Sequence, residues 1–246
     1  MCYRPFRVLQ KVSVMNEYST CAVILAAGSG TRMGAAVTKQ KIELLGKSIL
    51  RRTLEAFEAA ESVRHIVVVA RADELDFASS EAEGITKLSS VVAGGKCRAE
   101  SARIGFLAAP EEDDIIAIHD GARCLIKPAD IDKVVSYAYK FGAATAAVPV
   151  TDTLKRCDEN GVIVATVSRE NMYSALTPQV FSRALYRKAQ EACGELSADI
   201  TDDNMLAERA GIPVRCVTVS GSNIKITAPS DIPLAEYLIG AENAGE

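Results

Sequence analysis

Short runs of β-branched and apolar residues alternate along this chain with segments of helical periodicity, and that alternation leaves few folds open. Strands are expected at residues 21–27, 66–70, 88–92, 115–119, 144–150 and 214–219. Several of these runs are apolar almost throughout, the pattern of a sheet covered on both faces. Helical patterns occupy residues 48–61, 98–109, 129–141, 179–193, 202–210 and 231–241. Pro128, Pro178 and Pro229 each stand where a first helical turn would begin. In the first helix Ile49, Leu50, Leu54 and Phe57 form an aliphatic stripe that belongs in the core. The order of elements predicts an α/β protein built on a single doubly wound, mostly parallel, Rossmann-like sheet.

One interval breaks the alternation. Between Val150 and Pro178 two β-rich runs of mixed polarity flank Asn160-Gly161, a strong hairpin signal. A hairpin mixed in polarity on both flanks has little to bury at home, so residues 151–172 are expected to project as an arm. Such an arm suits docking on a second subunit, making a homodimer the expected state. No repeat, low-complexity tract or linker divides the rest, so residues 20–242 form one expected domain after an N-terminal extension, residues 1–19. Met15, just ahead of the first strand, is a candidate initiator.

Charge limits the partners. The chain of 246 residues carries 28 Lys+Arg against 32 Asp+Glu, a net charge of -4. A broad nucleic-acid surface would need a basic excess. Any anionic ligand must be met by a few well-placed cations. The seven cysteines are dispersed with no Cys-x-x-Cys pair, a pattern of reduced thiols in a cytoplasmic protein and not of a disulfide framework or zinc site. With only His65 and His119, a histidine-built metal site is not expected, and both histidines read as structural. No apolar run reaches the roughly 20 residues of a membrane helix, so no membrane partner is expected.

The most informative segment follows the first strand: Ala26-Ala27-Gly28-Ser29-Gly30-Thr31-Arg32-Met33-Gly34. A dinucleotide fingerprint would need glycine where Met33 stands, and Leu45-Gly46-Lys47-Ser48 lacks the earlier glycine of a P-loop, Lys41 occupying its place. On residues alone the segment is either a structural turn with surface cations or a backbone cradle for an anion, with Arg32 and Lys39 to neutralise phosphate oxygens.

Further motifs narrow the choice. Gly94-Gly95-Lys96-Cys97-Arg98-Ala99-Glu100-Ser101, His119-Asp120-Gly121-Ala122-Arg123, Val148 through Lys155, Ala175-Leu176-Thr177-Pro178-Gln179, Ile200-Thr201-Asp202-Asp203 and Asn223-Ile224-Lys225 follow in order. Together with the glycine-rich loop and Lys39-Gln40, this ordered set resembles the 2-C-methyl-D-erythritol 4-phosphate cytidylyltransferase family, within the nucleotidyltransferases that activate sugar and polyol phosphates.

The resemblance implies a CTP-dependent transfer to a polyol phosphate with release of pyrophosphate, assisted by Mg²⁺ or another divalent cation. It assigns Arg32, Lys39 and Lys225 to the triphosphate and its transition state. Ala26, Ala27, Gly28, Ser29, Gly30, Gly95 and Ser101 go to the nucleotide, with Arg98 as an anchor of that loop. Asp120 would help place the metal and contact the acceptor. Arg123, Thr153, Thr177 and Thr201 would bind the acceptor, and Arg169 would reach it across the dimer from the arm. Lys41 and Lys47 read as solvated charges. The sequence departs from the usual family pattern at Thr38 and Cys124, where proline is common. Two rival readings stand beside it: a cytidylyltransferase for another polyol phosphate such as ribitol 5-phosphate, and a non-catalytic nucleotide-binding dimerisation module.

Overall fold

The computed structural model describes residues 19–28 and 38–243. The N-terminal extension through residue 18, Met15 included, lies outside that range, as do Ser29, Gly30 and Arg32. In chain order the elements are β1 (Thr20–Leu25), β2 (Glu43–Leu44), β3 (Lys47–Ser48), α1 (Ile49–Ala59), β4 (His65–Ala70), α2 (Leu75–Glu81), β5 (Leu88–Ala93), α3 (Arg98–Ala108) and β6 (Ile115–Asp120). There follow α4 (Pro128–Phe141), β7 (Ala143–Pro149), β8 (Leu154–Cys157), β9 (Ile163–Val167), β10 (Tyr173–Ser182), α5 (Arg183–Cys193), α6 (Asp203–Arg209), β11 (Arg215–Thr218) and α7 (Asp231–Asn243).

Seven strands form the main sheet in the order β11-β7-β10-β6-β1-β4-β5. β1 runs parallel to β4 and β6, β4 to β5, and β7 to β11, whereas β10 is antiparallel to both its neighbours. Side chains alternate across a strand, so the continuous apolar runs bury two faces at once. Ala22, Ile24, Ile66, Val68 and Ala117 pack toward Leu50, Leu54 and Phe57 of α1 and Ile131 and Val134 of α4. Cys21, Val23, Val67, Val69, Ile116 and Ile118 pack toward Ala102 and Phe106 of α3, Tyr186 of α5 and Leu206 of α6. A smaller cluster joins Leu44, Ile49, Cys124, Ile226 and Ala235, seating α7 under the segment that carries Lys225. The expected stripe Ile49, Leu50, Leu54 and Phe57 is fully buried.

One helix start differs from expectation, and one proline stands outside the first helical turn expected to hold it. The segment expected to open a helix at residue 179 continues as β10 through Ser182, and α5 begins at Arg183. Pro178 therefore stands inside a strand. It does so where the β10–β7 register shifts between Ala175 and Gln179, an irregularity that spares the ladder the N–H that proline lacks. Pro229 lies in the turn before α7 and not in its first helical turn, while Pro128 does open α4. Leu45-Gly46 forms the tight turn joining β2 to β3, both residues with positive φ (46° and 79°), so the P-loop-like tetrapeptide is a hairpin.

The arm is the β8–β9 hairpin, a separate two-stranded sheet. Its turn closes on Asp158, whose Oδ1 accepts from the N–H groups of Asn160 (3.0 Å) and Val162 (2.9 Å), with Gly161 at φ 80°. Val162, Ile163 and Val164 are exposed along it. Among the described residues no helix is long and apolar enough to cross a membrane.

Candidate active site

Parallel strands place their carboxyl ends, and the loops after them, at one edge of the sheet. There β1 leads into Ala26-Ala27-Gly28, β5 leads into Gly94-Gly95, and β6 ends on Asp120. A cleft of about 380 Å³ opens there, lined by Ala27, Gly28, Lys39, Gly95, Lys96, Arg98, Ser101, Asp120 and Lys225 among others. A second cleft of about 240 Å³ is lined by Arg123, Thr177, Gln179, Thr201 and Asp202, and shares Arg98, Asp120 and Lys225 with the first. Two clefts thus meet at one charged wall.

Backbone demands explain the loop after β5. A Cβ at Gly94 would lie 2.5 Å from Cβ of Ala27, and one at Gly95 would lie 2.4 Å from the Glu100 side chain. Only glycine permits this approach. Ser101 is buried beneath the loop: its Oγ accepts from the Gly95 N–H (3.1 Å) and donates to the Cys97 carbonyl (2.9 Å). Its hydroxyl therefore shapes the loop, and Ala26, buried at 2 % exposure, donates its N–H to Val69.

Asp120 is the hub of the wall. Lys225 Nζ lies 2.8 Å from Oδ2, Arg98 Nε 3.3 Å from Oδ1 and Arg123 Nε 3.5 Å from Oδ2. Burial alone would raise the carboxyl pKa, but Arg98, Lys225 and Arg123 overcome it and hold the group well below the usual carboxylate range. Arg98, in the first turn of α3, is largely buried. Burial opposes its charge, yet Asp203 (2.7 Å) and Asp120 beside it raise its pKa. Burial lowers the Arg123 pKa against the pull of Asp120.

His119 organises this turn from behind. Burial pushes its pKa down to about 3 despite Asp120, so the ring is neutral. Its Nε2–H donates to the Arg123 carbonyl (3.2 Å), and Nδ1 accepts from the Thr177 hydroxyl (3.1 Å). Thr177 Oγ1 in turn accepts from the Asp120 N–H (3.0 Å), and Asn223 Nδ2 donates to the Thr177 carbonyl (2.9 Å). The Thr177 hydroxyl is largely spent on holding Asp120, with one lone pair left for a ligand. Cys124 keeps the turn closed without proline: Arg123 N–H donates to Asp120 O (2.9 Å), and Cys124 is buried. Thr38 sits at φ −68°, ψ 146°, a geometry proline would also adopt, and its hydroxyl donates to Glu74.

The remaining expected residues divide. Lys39 and Thr201 line the clefts, but Thr153 and Arg169 are exposed on the arm side, Arg169 donating to the Thr151 carbonyl. Within this chain neither lines the two clefts. Lys41 and Lys47 are solvent-exposed charges, as expected, and each is also paired, with Glu74 (3.3 Å) and Glu55 (2.8 Å). Asp203, Asn223, Gln179 and Gln40 carry structural weight that residue types alone did not flag, although all four lie inside motifs quoted above. Among the described residues no group of three or more His, Cys, Asp or Glu could hold a metal.

A doubly wound sheet with small-residue loops at its carboxyl edge, and cations gathered where two clefts meet, defines a nucleotidyltransferase architecture. The family model for 2-C-methyl-D-erythritol 4-phosphate cytidylyltransferase matches residues 20–241, and the chain belongs to that family. It is 41% identical over 223 residues to the enzyme of that name from Pelotomaculum thermopropionicum, covering 89% of this chain and 94% of the relative. Identity reaches 45% over 224 residues with the enzyme of the same name from Rubrobacter xylanophilus, covering 89% of this chain and 94% of that one. Among solved structures, the 4-diphosphocytidyl-2C-methyl-D-erythritol synthase of Anaerococcus prevotii superposes with a TM-score of 0.80 at 27% identity, covering 94% of this chain and all of that one. The chain is a cytidylyltransferase of isoprenoid precursor biosynthesis, and the ribitol phosphate and binding-module alternatives are not favoured.

Proposed function

We propose that the larger cleft takes CTP and the smaller takes 2-C-methyl-D-erythritol 4-phosphate, so that both anions meet at Asp120, Arg98 and Lys225. The shared wall is the observation that carries this reading. An ionised phosphate oxygen of the acceptor attacks the α-phosphorus in line, the bond to the β-phosphate oxygen breaks, and pyrophosphate leaves. The attacking group is already an anion, so no strong base is required, and the neutral His119 offers none. Catalysis then consists of holding two anions in contact and neutralising charge as it develops.

Lys39 and Lys225 from this chain, with Arg32, neutralise the triphosphate and the charge that grows on it. Ala26, Ala27, Gly28, Ser29, Gly30 and Gly95 hold the nucleotide chiefly through backbone groups, while Ser101 fixes the loop after β5. Arg123, Thr177 and Thr201 bind the acceptor phosphate and hydroxyls from the smaller cleft. Thr153 and Arg169 reach that acceptor from the arm of a second subunit in a homodimer, the exposed Val162, Ile163 and Val164 supplying apolar surface for docking.

Among the described residues lining the larger cleft, Asp120 is the one acidic side chain. A single carboxylate can serve Mg²⁺, which takes most ligands from phosphates and water. When bound there the metal would neutralise phosphate charge alongside Lys225, with Asp120 holding it. Residues 20–242 would act as one catalytic unit, in a cytoplasmic setting consistent with the six free cysteines among the described residues.

Incubating purified protein with Mg²⁺, each of the four NTPs, and methylerythritol phosphate or ribitol phosphate tests this. Pyrophosphate release confined to CTP with methylerythritol phosphate is the expected outcome. Release with ribitol phosphate alone would refute the acceptor assignment.

A further inference from the structure

We propose that Asp203 is a positioning residue for the transfer, acting through Arg98 on the wall between the two clefts. This rests on the proposed occupants of those clefts. Asp203 opens α6 and is 1% exposed. Its Oδ2 accepts from Arg98 Nη1 at 2.7 Å, its Oδ1 from the Tyr186 hydroxyl at 2.6 Å, and its backbone N–H donates to Gln179 Oε1 at 2.7 Å. Gln179 Nε2 also donates to Asp202, the residue capping α6, at 2.8 Å. The start of α6 is thereby bolted to β10, and Asp203 is a fixed point. It lines neither cleft, so it meets no substrate directly.

Arg98 lines both clefts and depends on that fixed point. Nε contacts Asp120 at 3.3 Å, and Nη2 is buried with no hydrogen-bond partner among the described residues. Two carboxylates therefore set the guanidinium's position, and the shorter contact is to Asp203. Asp120 is already shared with Lys225 and Arg123. Neutralising Asp203 would leave a half-buried arginine with Asp120 as its single counterion, and a buried charge left short of a partner is strongly unfavourable. Arg98 would draw onto Asp120 and take that carboxylate from Lys225. Asp203 thus keeps Arg98 from closing further on Asp120 and preserves the spacing of the wall on which the reacting phosphates meet.

Asp203→Asn keeps the shape and the Tyr186 contact while removing the charge. We expect kcat to fall by about 10-fold to 100-fold, the scale of an ångström-sized misplacement, with KM for CTP changed by less than about 3-fold. In an Arg98→Met background the same change should cost less than about 2-fold, because the residue it acts through is gone. A merely structural role would lower stability and activity alike in both backgrounds. Full additivity, or unchanged kcat in folded Asp203→Asn, overturns the proposal. If Asp203→Asn does not fold, Asp203→Glu carries the same comparison by moving the carboxylate, and additivity with Arg98→Met again overturns it. A wild-type protein that releases no pyrophosphate from CTP and acceptor refutes the cleft assignment and this role together; an active wild type beside an unaffected variant refutes only the role.

Discussion

Gly105 offers a stringent test of how α3 is held against the sheet that carries the site. A Cβ built on this glycine would lie 2.2 Å from Cγ1 of Val23 and 2.8 Å from Cγ2 of Val69, both fully buried strand residues. Ordinary carbon contacts lie near 3.5–4.0 Å, so Gly105→Ala requires a shift of roughly 1.3 Å or more. β-branched side chains have little rotamer freedom to yield, which puts the overpacking cost near the top of the usual range, about 3 kcal/mol. Alanine returns about 1 kcal/mol through helix propensity. The net loss of about 2 kcal/mol corresponds to a Tm lower by roughly 4–8 °C in a chain of this size. The protein has no tryptophan, so urea unfolding should be followed by far-UV circular dichroism. Val23→Ala opens the space the new methyl needs, so the double variant should be at least about 1 kcal/mol more stable than the two losses added. Activity should fall as well, because α3 begins at Arg98 and carries Ser101. A Gly105→Ala protein as stable as its parent, or no coupling to Val23, would refute the packing argument.

Lys225→Met should leave the fold intact and lower kcat by about 100-fold or more, the scale of losing one charge-stabilising donor, as read in a pyrophosphate-release assay. Arg169→Ala should raise KM for the acceptor while sparing CTP binding, and equal loss of both in titration would count against an arm that serves the acceptor. For Asp120 the folded pKa is depressed, so its stabilising contribution is present above the unfolded value of about 3.9 and is lost as pH falls through the folded value. Urea midpoints measured from pH 5 downward should therefore fall more steeply for wild type than for Asp120→Asn, and parallel slopes would refute the linkage.

Local signals made most of the sheet legible. Runs such as residues 21–27 and 66–70 are apolar throughout because β1 and β4 lie buried between two helical layers. β10 was not legible, because Pro178 and the periodicity of residues 179–193 both point to a helix, and nothing local reports that β6 and β7 leave room for an antiparallel strand. The arm's turn was legible from Asn160-Gly161, whose chemistry is entirely local. At the site, motifs marked Asp120, Arg98 and Lys225 but not how they are held. Asp203 spends its charge on an arginine 105 positions away, and His119 spends both ring nitrogens on neighbours that only the folded turn supplies.

The ion pairs around Asp120 also explain how an acidic protein holds an anion site ready. Arg98, Arg123 and Lys225 repel one another, and a wall of bare cations would strain the empty enzyme. Asp120 and Asp203 act as internal counterions that make the gathering tolerable. In the proposed reading, an incoming phosphate competes with Asp120 for cations already in place. The net charge of -4 is thus no obstacle. Removing Asp120 should therefore damage the empty site before any substrate arrives.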